Sequence, residues 1–143
     1  MPSDRRRARI LAMQTLCQWD VQRDTSGDVL DEVSDADDED ATPQRVVRYA
    51  RTLVEGFWAR HNYVDRRLKA ALEKWSLSRL SPVERNAMRV AVVELVGDDV
   101  PGKVAINEAI EIAREYGGAD SPRFVNGVLD KVLSNLAKKK EGD

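Results

Sequence analysis

Residues 81–96 read SPVERNAMRVAVVELV, and this stretch decides the fold. Ser81 is a helix N-cap, Pro82 sits at the first helical position, and Glu84 stands where a capping box places its acid. The run MRVAVVELV that follows is apolar almost all round. A helix with no polar face is buried by its neighbours, so Ser81–Val96 predicts the central helix of a helical bundle. Glu94 lies inside it. A carboxylate there needs a partner, and an arginine or a helix N-terminus is expected in preference to a catalytic role.

The flanking sequence supplies helices to surround that centre. Towards the C-terminus, residues 97–102 read GDDVPG and predict a loop. Lys103–Tyr116 is amphipathic, with Ala105, Ile106, Ala109, Ile110, Ile112, Ala113 and Tyr116 on one arc and Asn107, Glu108, Glu111, Arg114 and Glu115 on the other. Gly117 and Gly118 stop it. Ser121 is expected to cap a last helix bearing Val125, Val128, Leu129, Val132 and Leu136 on one face and ending in Lys138–Lys140. Gly127 interrupts that helix, and close helix packing is its expected purpose. Towards the N-terminus, Pro43 opens a long helix to about Glu73, with Gly56 and the pair His61-Asn62 as candidate kinks. A first helix is expected from Asp4 to about Gln22, capped by Ser3 or Asp4, with Ile10, Met13, Leu16, Cys17 and Val21 as its apolar stripe. No segment alternates as a strand does. The fold class is all-α, a compact bundle of five to seven helices.

The chain has 143 residues, enough for one domain with a real core, so residues 1–143 are expected to form a single unit. Its one cysteine, Cys17, excludes an internal disulfide and fits a reducing compartment. No apolar run approaches the roughly 18 residues that span a bilayer, and no secretory signal is evident. A soluble cytoplasmic protein is expected. The formal charge of −2 conceals an uneven distribution. Residues 24–42 hold nine carboxylates and no basic residue; setting those aside leaves 23 basic against 16 acidic side chains. A basic body thus carries an acidic segment, read either as a solvated loop or as an anionic arm that competes for the arginines.

Signatures of catalysis are missing. There is no Gly-rich phosphate loop, GxSxG or HExxH, and the acidic run lacks the spacing of a calcium loop. His61, the only histidine, has no ligand partner at metal spacing. A binding protein is therefore the leading class. Residues 5–9, RRRAR, place Arg5, Arg6, Arg7 and Arg9 at the positive end of the first helix, at a cost of order 0.3–1 kcal/mol per charge. Guanidinium forks bind phosphate and stack on bases, and Gln14 and Gln18 continue the polar side. The cluster admits a phosphate grip and a merely solubilising end equally, and does not distinguish DNA from RNA. As a surface grip, Arg6 and Arg9 would be replaceable by alanine without loss of helicity or melting temperature. Phe124, at the edge of the last helix's apolar arc beside Arg123, is either a partner anchor or a core-edge ring.

Two stretches carry a resemblance. Residues 104–133, VAINEAIEIAREYGGADSPRFVNGVLDKVL, resemble the C-terminal half of the NusB family of transcription antitermination factors, in which an INEAIE-type helix, a glycine loop and FVNGVLD recur together. RRRARILAMQTLCQWD is similar to the family's arginine-rich first helix, and WSLSRLSPVERNAMRVAVVEL to the segment between. The resemblance implies about seven helices in two packed sub-bundles. It implies binding of single-stranded boxA RNA from ribosomal RNA leader transcripts, together with NusE, a small-subunit ribosomal protein, within an antitermination complex on RNA polymerase. With the catalytic and metal-binding signatures missing, no enzyme activity, cofactor or metal is expected. Arg5, Arg6, Arg7 and Arg9 would contact RNA, Asp120 would lie near its path, and Glu84 and Phe124 would face NusE. Relatives that dimerise leave monomer and homodimer both open. Cys17 stands where some members carry Tyr and has no ring to stack, and residues 24–42 are unusually charged for this linker. The alternative is a stand-alone relative of the NusB-like domain of ribosomal RNA cytosine methyltransferases, without room for their catalytic domain. A DNA-binding regulator would need an exposed recognition helix that the pattern does not supply.

Overall fold

A computed structural model describes residues 3–22, Leu30 and 42–141. Five α-helices occur among the described residues: α1 (Asp4–Gln22), α2 (Gln44–Leu72), α3 (Pro82–Gly97), α4 (Gly102–Tyr116) and α5 (Ser121–Glu141), with a 3-10 turn at Leu77–Arg79. The all-α expectation holds. Among the described residues the count of five meets the lower end of the five to seven read from the pattern and falls short of the seven that the resemblance implies; the long second pattern runs on as one helix bent at Arg60 (φ −130°, ψ 27°). That bend immediately precedes His61-Asn62. The acidic segment, apart from Leu30 and Thr42, lies outside the described residues.

The central helix behaves as its composition requires. Ser81 Oγ caps the helix by accepting the Glu84 N–H at 3.2 Å, and it donates to Glu84 Oε1 at 3.0 Å, a side-chain bond in place of the backbone bond that a full capping box would make. Asn86 through Val92, with Glu94 and Leu95, are buried. The helix packs against all four others; α1 and α2 pair beside it, as do α4 and α5, and α2 also reaches α5. Asp98 ends it in the left-handed conformation (φ 60°), its N–H on the Glu94 carbonyl. One continuous apolar core results, with Phe57, Leu68, Met88, Ile112 and Leu129 fully enclosed. Each such side chain contributes about 1.5–3 kcal/mol by leaving water.

Three local expectations are corrected. The buried face of α1 runs through Ala8, Arg9, Ala12, Met13, Thr15 and Leu16; Ile10 and Cys17 flank it, and Val21 is 77% exposed. Met13 and Leu16 of the expected stripe are buried as read, but Ala8, Arg9, Ala12 and Thr15 complete the face in place of Val21. Ser121 does not cap α5 but is its first residue: its Oγ accepts the Gly118 N–H at 3.0 Å and donates to Glu84 at 3.0 Å. Gly127 is exposed with open space where a Cβ would stand, so it serves no close packing. That purpose falls to Gly56, whose added Cβ would lie 3.1 Å from Val93 of α3.

Candidate nucleic-acid interface

Four arginines crowd the first turns of α1, and the fold sends them to different places. Ser3 Oγ caps the helix by accepting the Arg6 N–H at 3.1 Å. Arg9 falls on the inward face and is only 5% exposed. Its Nε and Nη2 donate to the two oxygens of Glu94 at 2.9 and 3.0 Å. The carboxylate inside the central helix thus has the arginine partner expected of it. Tyr49 of α2 adds its hydroxyl as a donor to the same carboxylate. Burial and that bond push the tyrosine pKa up to about 12, so the hydroxyl keeps its proton at neutral pH. Burial opposes the charge on Arg9, but its hydrogen bonds to Glu94 and the field of that carboxylate raise its pKa and hold the guanidinium protonated.

Arg6 points toward α4. Its Nε and Nη2 donate to Glu108 at 2.7 and 3.2 Å, and Arg9 Nη1 lies 3.9 Å from the same carboxylate. Two of the misplaced charges are therefore neutralised by acids from α3 and α4, which is how the helix tolerates them. Arg5 and Arg7 face outward. Arg5 is exposed with its guanidinium 3.7 Å from the centroid of the Tyr49 ring, and Arg7 lies 3.7 Å from Asp4. Gln14 is exposed further along the helix. Arg9 is thus corrected from surface grip to internal clamp, because its fork is occupied in the core. The bonds of Arg9 to Glu94 and of Arg6 to Glu108 run against the expectation that both are replaceable without loss of stability.

The other candidates meet at a second corner. Glu84 at the start of α3 joins Ser121 at the start of α5, and Asp120 stands exposed just before it. One turn on, half-buried Phe124 packs edge-on against Trp75, with ring centroids 5.8 Å apart. Trp75 is 62% exposed, so this corner presents an aromatic surface beside the Glu84–Ser121 bond. Cys17 of α1 packs on the first turn of α3, its thiol 3.4 Å from the Pro82 carbonyl and its pKa raised by burial.

Tyr49, Glu108 and Trp75 were not singled out from sequence. Glu108 sits on the polar arc of its helix and looks like a solvated acid. The available signal was the arginine excess itself, which demanded carboxylates from elsewhere in the chain.

Comparison with known proteins places this architecture among relatives. The NusB family model matches residues 6–134. The transcription antitermination protein NusB of Desulfitobacterium hafniense is 41% identical over 138 residues, covering 96% of this chain and 93% of its own length. That of Yersinia enterocolitica is 43% identical over 141 residues, covering 97% and 99%. The structure of T. maritima NusB superposes with a TM-score of 0.81 at 36% identity, over 94% of this chain and 93% of that one. A crystal structure of the antitermination factors NusB and NusE in complex with dsRNA gives 0.77 at 27% identity, over 94% and 99%.

Proposed function

This chain belongs to the NusB family, and from that premise we propose that it is a transcription antitermination factor. It binds boxA-type RNA of ribosomal RNA leader transcripts jointly with a NusE-type ribosomal protein and supports processive elongation by RNA polymerase. The near-full-length match to proteins named for antitermination carries this reading. The outward pair Arg5 and Arg7 supports it, being cations at a helix start where, among the described residues, Asp4 lies 3.7 Å from Arg7. The protein acts as a binder without catalysis, in the cytoplasm. Arg5, Arg7 and Gln14 meet the RNA, with Arg6 at the edge of that face, and Asp120 lies beside its path. Glu84 and Phe124 meet the protein partner at the corner they share with Trp75.

The test is a gel shift with a boxA-type RNA and a scrambled control, with and without NusE, at two salt concentrations. Selective binding that NusE strengthens and salt weakens is expected, since each neutralised phosphate releases counterions. Equal binding of both RNAs, unaffected by NusE, would reject the proposal.

A further inference from the structure

Where α1 meets the start of α2, an open depression of about 430 Å³ is lined by Asp4, Arg5, Arg45, Arg48, Tyr49 and Thr52. Three guanidiniums face one carboxylate. Asp4 pairs with Arg45 and lies near Arg7, so its single charge is shared. Arg48 is exposed and forms no ion pair among the described residues. Tyr49 is held from beneath by its hydroxyl bond to Glu94, and its ring carries Arg5. Arg5 is therefore positioned and only partly free, whereas Arg48 has no acid paired with it among the described residues. A concave site with a net positive charge concentrates anions, and guanidinium forks match the geometry of phosphate. An aromatic ring interleaved with arginines is also what a nucleic-acid strand uses when it runs along a groove.

Arg45 and Arg48 belong neither to the RRRAR run nor to the FVNGVLDK corner. We propose that this depression seats a backbone phosphate of the bound RNA, so that the strand met by Arg5 continues from α1 onto the first turns of α2. The inference rests on the RNA-binding reading above and extends it to a second helix, with Arg48 as the contact residue.

The experiment compares Arg48→Glu with Lys138→Glu, a charge reversal of equal size near the far end of α5, where the side chain is exposed. Fluorescence anisotropy with a labelled boxA-type RNA, over a series of KCl concentrations, reads the affinity of the full chain. Arg48→Glu should weaken binding about tenfold at low salt and flatten the plot of log K against log salt by roughly 0.7. Lys138→Glu should change affinity less than about twofold, and Arg48→Lys should keep most of the slope. Thermal melts of all three should match the parent; Arg48→Gln serves if the reversal itself perturbs folding. Equal effects of Arg48→Glu and Lys138→Glu, with binding retained, would overturn this inference and leave the functional reading intact. Absence of RNA binding by the unaltered chain would overturn both.

Discussion

Arg5 and Arg9 stand one turn apart on the same helix and do opposite work. Arg9 is enclosed and locked to Glu94 by two hydrogen bonds, with Tyr49 completing the carboxylate's shell. Removing one member of a buried pair leaves the other charge stranded, at a cost of about 3–5 kcal/mol. Arg9→Ala should therefore lower the urea midpoint sharply, and Glu94→Ala should do the same. Replacing Arg9, Tyr49 and Glu94 together by apolar residues of similar volume should recover most of the loss. A midpoint unchanged by Arg9→Ala would show that the pair contributes nothing. In sequence, all four arginines look alike. The need of Glu94 for a partner was legible, because its helix is apolar all round. Which arginine answered it was not, because that depends on how α1 is rotated against α3.

At the level of elements, the helix boundaries were readable to within a residue or two, since caps and breakers are local chemistry. Ser81-Pro82-Val83-Glu84 shows this best, Ser81 capping the Glu84 N–H with Pro82 at the first helical position. Glycines were read less well. Gly127 lies mid-helix in α5 with nothing near its Cβ direction, so Gly127→Ala should stabilise the protein by about 1 kcal/mol, seen as a raised melting temperature. Gly117 is the contrary case: an added Cβ would meet the Ala113 carbonyl at 2.7 Å and Ser121 Oγ at 2.8 Å. Gly117→Ala should destabilise the chain and loosen the Ser121–Glu84 link between α5 and α3. A destabilising Gly127→Ala would show a contact of that position that the fold does not contain. Close approach between helices is a tertiary property, and sequence marks it only as a missing side chain.

Across the whole molecule, charged groups do much of the joining of helices. Beside the Arg9–Glu94 clamp, Asp20 of α1 receives Arg85 at 2.6 Å and Asn86 at 3.1 Å from α3, and Arg89 continues the chain of bonds to Asp65 of α2. Burial alone would raise the Asp20 carboxyl. The hydrogen bonds from Arg85 and Asn86, with the charges of Arg89 and Arg85, hold it below the ordinary carboxylate range. A carboxyl depressed in the folded state adds stability that is complete above its unfolded pKa, about 3.9, and that is lost as pH falls through the folded value. Denaturation midpoints taken from pH 7 downward should show Asp20→Asn less stable at neutral pH and less sensitive to acid than the parent; parallel curves would contradict this. With Arg6 and Arg9 committed to acids, the RNA contacts proposed for the arginines of α1 fall chiefly to Arg5 and Arg7. The most direct test of the account is the affinity of Arg5→Ala/Arg7→Ala for a boxA-type RNA in the presence of NusE. The account predicts a loss of at least about tenfold, set by the lost phosphate contacts, with the urea midpoint unchanged. Full affinity in that variant would contradict it.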